Sequence, residues 1–237
     1  MDTRSLLDQL LKSGTDFLQN KNTDSTASTQ GDTSQQSTSL GSLLSDNKGG
    51  LLAGGVLGLL LGSKTGRKVG GKVLTYGSLA ALGTVAYKAY NNWQAQQNHS
   101  STAAAAAPAA TPLSALPAQE AEKHSRAVLC AMIGAAKADG HIDENERRLI
   151  DQGIASLTND SELQRWFDQE LHKPLNPVEI ARHASSPEMA AEMYLASLLI
   201  VDEDSFMEKA YLDELARQLK FDPSLKAELE AQAKQAA

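Results

Sequence analysis

Cysteine, strand-like alternation and long apolar runs are the scarce features of this chain. Cys130 is the single cysteine in 237 residues, so no internal disulfide can form. It sits in AVLCAMI, an apolar stretch that marks a buried thiol rather than a nucleophile. No segment alternates apolar and polar residues at period two, which argues against strands. No apolar run reaches the ~20 residues of a comfortable membrane span. No H-E-x-x-H or G-x-S-x-G occurs, so the two commonest hydrolase signatures are missing. The opening residues, MDTRSLLDQLLKSGTDFLQN, are interrupted by polar residues and carry no small-residue cleavage site. A secretory leader is therefore not expected.

Charge is divided unevenly. Residues 1–118 carry nine Lys/Arg and six Asp/Glu, a net of +3, whereas 119–237 carry thirteen and 23, a net of −10. A nucleic-acid backbone needs a basic surface, so nucleic acid is excluded as a partner of the second half. Cations and basic proteins suit it.

Glycine is abundant in one place. Gly50, Gly54, Gly58, Gly62, Gly66 and Gly70 recur every four residues, the first four within GGLLAGGVLGLLLG. Interior glycine weakens a helix in water by about 1 kcal/mol relative to alanine. In lipid, small residues four apart let another backbone approach closely. The pattern predicts a membrane-associated segment over 49–90, of one or two helices, with Gly50, Gly54, Gly58 and Gly62 as its packing face. Membrane lipid and either self-association or a membrane-protein partner follow. The second apolar stretch, 73–90, ends in Tyr87 and Tyr90, with Trp93 beyond, residues that favour a membrane boundary. Between the stretches lie Lys64, Arg67, Lys68 and Lys72. They approximate a phosphate-binding loop, but Val73 stands where Ser or Thr must hold Mg²⁺. Attraction to anionic head groups explains them more simply.

The rest divides by composition. Residues 1–19 predict a short amphipathic helix, with Leu6, Leu7, Leu10 and Leu11 at helical spacing. Residues 20–48 are a polar, disordered linker. Residues 91–118, with five consecutive alanines and Pro108, Pro112 and Pro117, read as an extended tether. Residues 119–237 show helical periodicity throughout and form a domain of six or seven helices.

The sharpest motif of that domain is AAKADGHIDENERRLI, residues 135–150. Asp139-Gly140 closes one helix and Asp143 opens the next, with Asp143 and Glu146 as a capping box. Alternatively, Asp139, Asp143 and Glu146 offer carboxylates to a divalent cation. The motif echoes 63 residues later, where Asp202 matches Asp139, Leu195 matches Met132 and Leu212 matches Leu149. Asp202 would join the metal ligands if the two loops face each other. The second copy lacks the glycine and, at this register, a clean capping pair.

The arrangement of Ala136, Ala138, Asp139, Gly140, Ile142, Asp143 and Glu146 resembles the TerB-like domain of tellurite-resistance proteins. A glycine-rich apolar segment, a linker and such a domain, in that order, resemble the YebE-like family of uncharacterised bacterial inner-membrane proteins. The resemblance implies an all-α fold: a glycine-rich membrane segment plus a TerB-like bundle with a pseudo-repeat. It also implies an inner-membrane location and possible metal association, but no reaction. Short basic loops stay cytoplasmic, so a two-span hairpin would put the domain in the periplasm. Cys130 and the TerB-like resemblance favour the cytoplasm. A hairpin that only dips into the bilayer reconciles the two, and a cytoplasmic domain is expected. The function expected is a non-enzymatic binding or sensing module, its alternatives a structural envelope protein and an enzyme.

Overall fold

The computed structural model describes residues 3–11, 79–98, 117–140, 144–201 and 205–235. The side chains of Glu144, Glu146 and Leu149 lie outside that description. Among the described residues every regular element is a helix. In chain order they are α1 (3–11), α2 (Leu79–Asn98), α3 (Ala118–Ala136), α4 (Glu144–Leu157), α5 (Ser161–His172), α6 (Pro177–Ala181), α7 (Pro187–Ile200), α8 (Phe206–Gln218) and α9 (Pro223–Gln235).

The helices start where side-chain oxygens can satisfy their first amides. Asp160 accepts from Glu162 N and Leu163 N at the head of α5, at 2.9 and 3.2 Å. Asn176 and Ser186 do the same for α6 and α7, each followed by a proline at the first helical position. α8 ends in a Schellman turn, with Phe221 N donating to Ala216 O and Lys220 N to Arg217 O. Lys220 takes the left-handed conformation, φ 60°, that glycine ordinarily fills there.

α7 is the axis of the bundle. Eleven of its 14 residues are buried, as expected of a helix that is apolar all round. It packs on α3, α2, α9 and α8. Tyr194 is fully buried, its ring edge-on to Phe221 at 5.5 Å, and its hydroxyl donates to Glu230 at 2.9 Å. The apolar faces read from the sequence supply the core: Val128, Leu129, Met132 and Ile133 from α3, and Leu163, Trp166, Phe167 and Leu171 from α5.

Two segments that the sequence placed outside this domain belong to its core. α1 buries Leu6, Leu7, Leu10 and Leu11, and Thr3 N donates to the Glu122 carboxylate on α3 at 3.1 Å. α2 runs through residue 90, the expected end of a membrane segment, and on to Asn98. Its Leu82, Ala86 and Ala89 are buried against α7 and α9. Trp93, expected at a membrane boundary, donates its indole N–H to Ser224 Oγ at 2.8 Å, and Tyr90 packs beside it. The physical reason is that an apolar stripe satisfied by helices needs no lipid: α2 alternates buried Leu82, Ala86 and Ala89 with exposed Thr84 and Lys88. Among the described residues no helix is long and apolar enough to cross a membrane. Gly50, Gly54, Gly58 and Gly62 lie outside the described residues.

Candidate functional site at the acidic end

Three contacts fix how α3 and α7 run. His124 Nε2 pairs with Glu192 Oε2. Further along, Ser197 Oγ donates to Ala131 O at 3.3 Å. Beyond both helices, a Cβ placed on Gly140 would touch Met207 Cε at 3.6 Å. Residue numbers rise together in all three pairs, so α3 and α7 are parallel. Their carboxyl ends, and the acidic loops after them, therefore lie at one end of the bundle. Each unit is helix, acidic loop, helix: α3 to α4 and α7 to α8. The sequence echo thus falls on two units of the same element order.

The first loop turns as its sequence demands. Gly140 has φ 94°, a conformation that strains any residue with a Cβ. Asp139 is half-buried on the turn before it. α4 then starts at Glu144. Asp143 and Asp202 fall outside the described residues, and Glu146 is placed on α4 by its backbone alone. Among the described residues no three His, Cys, Asp or Glu side chains converge as a metal site would require.

The second loop corrects the reading at a fixed 63-residue offset. α3 and α7 end 64 residues apart, whereas α4 and α8 start 62 apart. The shorter second loop moves its capping pair by one position. Ser205 is the N-cap of α8 and accepts from Glu208 N at 3.5 Å. The S-x-x-E signature at 205–208 was readable, but the fixed offset set Lys209 against Glu146 and hid it.

What the motif did not reveal is the apolar tip of this end. Phe206 is 84 % exposed and Met207 56 % exposed, side by side on the first turn of α8. They lie where α3 and α7 present their carboxyl ends and α4 and α8 their amino ends, so the helix dipoles at this end oppose one another. Chemically, such a surface offers an apolar anchor on a half of the chain that carries a net charge of −10.

A second concave feature lies between α3, α5 and α6. This cleft of about 360 Å³ is lined by Cys130, Ile133, Lys137, Glu170 and His183 among others. Lys137 Nζ donates to the carbonyls of Glu170 (3.2 Å) and Lys173, closing the carboxyl end of α5. Burial lowers its pKa. Burial also pushes the Cys130 thiol up to about 12, and Glu170 adds to the effect. A thiol held protonated in this way is a core group and not an attacking one, as its apolar neighbours predict. His183 and Glu170 share the cleft with Cys130 only because α5 and α6 fold over α3, a proximity that sequence spacing does not encode.

Comparison with known proteins places the chain. An uncharacterised protein in the ampR 5′ region of Yersinia enterocolitica is 36% identical over 93 residues, which is 39% of this chain and 67% of that protein. No solved structure matches. The family model for proteins of unknown function DUF533 matches residues 46–233, a span that contains the 136–146 motif and both acidic loops. The chain therefore belongs to the DUF533 family.

Proposed function

We propose that the chain is a non-enzymatic binding module that works at its acidic end, taking a cation or a basic protein segment there. The observation that carries this reading is the exposed Phe206–Met207 pair beside Gly140, where α3 and α7 both terminate. A bare acidic loop serves solubility equally well. Two large apolar side chains exposed on the helix turn that follows such a loop have a reason to be covered. The protonated, core-packed Cys130 supports a role other than nucleophilic catalysis.

The membrane part of the reading rests on the glycine-rich segment. Residues 3–11 and 79–98 share one core, so a segment between them that enters a bilayer must return to the side it left. That supports a hairpin dipping from the cytoplasmic face of a bacterial inner membrane, as in the YebE-like and TerB-like resemblance, over a single crossing. Membrane lipid, and helix–helix contact through Gly50, Gly54, Gly58 and Gly62, are its partners.

The test is calorimetry on the full chain in detergent, with a basic amphipathic peptide and, separately, with Ca²⁺ or Mg²⁺. Saturable binding of either, weakened by salt or chelator, is expected. Peptide binding should be lost in the Phe206→Ser, Met207→Ser double variant. Absence of both peptide and cation binding at millimolar concentration would falsify the reading. The isolated 119–237 fragment is not a fair substrate, because it lacks α1 and α2.

A further inference from the structure

A groove of about 820 Å³ lies at the end of α7 away from Phe206 and Met207. The direction of α2 explains how it forms. A Cβ on Gly83 would lie 2.8 Å from Glu192 Oε1 on α7. Further along α2, Tyr90 and Trp93 line the groove with Ser186 and Pro187, at the start of α7. Rising numbers in α2 meet falling numbers in α7, so the two helices are antiparallel. The carboxyl half of α2 is thus one wall. The turns after α6 and α8, two helices that pack together, supply the others through Arg182, Lys220 and Phe221. The volume is that of a small-molecule site.

The aromatic walls are held by the fold itself. Trp93 is fixed by its bond to Ser224, with the Tyr90 ring 5.6 Å away. Phe221 is fixed edge-on to Tyr194, and its amide closes the turn after α8. All three rings are half-buried, so part of each is left to the groove. A preformed aromatic surface of this kind receives a flat apolar body. The charges around it are unequal. Asp222, the one carboxylate among the described lining residues, already accepts from Ser224 N at 2.8 Å and from Ser224 Oγ. Arg182 pairs with Glu179, which leaves guanidinium donors free. The Lys220 ammonium has no partner among the described residues. Glu188 lies near Tyr90, whose pKa is raised by burial and by that charge, so the acidic side of the groove is the α2–α7 side.

Lys220 is also the one non-glycine residue with positive φ among the described residues. Glycine closes such a turn without strain, so the fold gains nothing from a Cβ there, and what the position supplies is the lysine side chain. We propose that this groove binds a small aromatic anion, its flat body against Tyr90, Trp93 and Phe221 and its carboxylate or sulfonate on Lys220 and Arg182. Lysine meets the anion as a point charge and arginine as a planar fork. The site is separate from the Phe206–Met207 face and does not depend on what binds there.

The experiment uses the full chain in detergent, carrying isotope-labelled tryptophan and titrated with naphthoate or with naphthamide, its neutral isostere. The chain has two tryptophans, so its spectrum holds two indole N–H signals. Naphthoate should shift the Trp93 signal saturably, that signal being assigned by its loss in Trp93→Phe, and leave the Trp166 signal in place. Naphthamide should bind several-fold more weakly. Lys220→Gly should raise the thermal midpoint, because the strain is gone, and yet weaken naphthoate binding several-fold. Arg182→Gln should weaken it as well. No shift at millimolar naphthoate, equal affinity for naphthoate and naphthamide, or unchanged affinity in Lys220→Gly would each overturn the proposal. So would a thermal midpoint that falls in Lys220→Gly, since Lys220 would then serve the fold. A Trp93 signal that responds to detergent alone, and no further to naphthoate, overturns it in favour of an acyl chain.

Discussion

The two ends of the α3–α7 pair are built on opposite terms. At one end, His124 faces Glu192, Thr3 N meets Glu122, and Gly83 lets α2 close over the pair. His124, Glu192 and Glu122 each have a partner there, where α1 and α2 pack on the α3–α7 core. At the other end α3 and α7 finish, α4 and α8 begin, and Phe206 and Met207 stand in water. Mixed charge can be closed from within the fold. The other end differs in its apolar cover, because it leaves two large side chains exposed.

The largest effect should come from the sealed end. Leu82→Ala removes a buried side chain of α2 and should cost about 2–5 kcal/mol by the cavity it leaves. Chemical denaturation of the full chain measures it. A cost near zero would detach α2 from the bundle and return it to the membrane reading. Next is Gly134 on α3. A Cβ there would lie 2.7 Å from the Tyr211 hydroxyl and still closer to Ile180. Gly134→Ala should cost about 1–3 kcal/mol by overpacking, against a helix-propensity gain of about 1 kcal/mol. A thermal midpoint that rises would show that α6 gives way freely.

Helix caps come third. Asp160→Ala should cost about 0.5–2 kcal/mol, because the Asp160 carboxylate accepts two amides at the head of α5. Asp143→Ala should cost a similar amount if Asp143 caps α4, with or without divalent cation present. A cost that appears only with the cation would make the first loop a metal site. The smallest effect on stability belongs to the open end. Phe206→Ser with Met207→Ser should move the unfolding free energy by less than about 0.5 kcal/mol each, as exposed positions do. The same pair should abolish peptide binding. Stability lost along with binding would mean that the two side chains serve the fold.

Much of the bundle was legible in the sequence because helical periodicity is a local signal. The buried faces of α3, α5 and α7 follow from the positions of Leu129, Met132, Phe167, Leu195 and Leu198. Gly140 announces its own turn, and Asp139 and Asp143 mark the loop by composition alone. The charge asymmetry between the halves is likewise a property of the sequence. What composition could not decide is what an apolar stripe packs against. The stripe of α2 satisfies lipid and protein equally on paper, and only its seat against Glu192, Ser224 and α9 makes it core. Nor does the sequence contain direction. That α3 and α7 run parallel, and α2 against them, follows from long-range contacts between residues 66–109 positions apart. Those contacts bring the carboxyl ends of α3 and α7, Gly140, Phe206 and Met207 to one end. Tertiary packing, which alone relates distant helices, decided that.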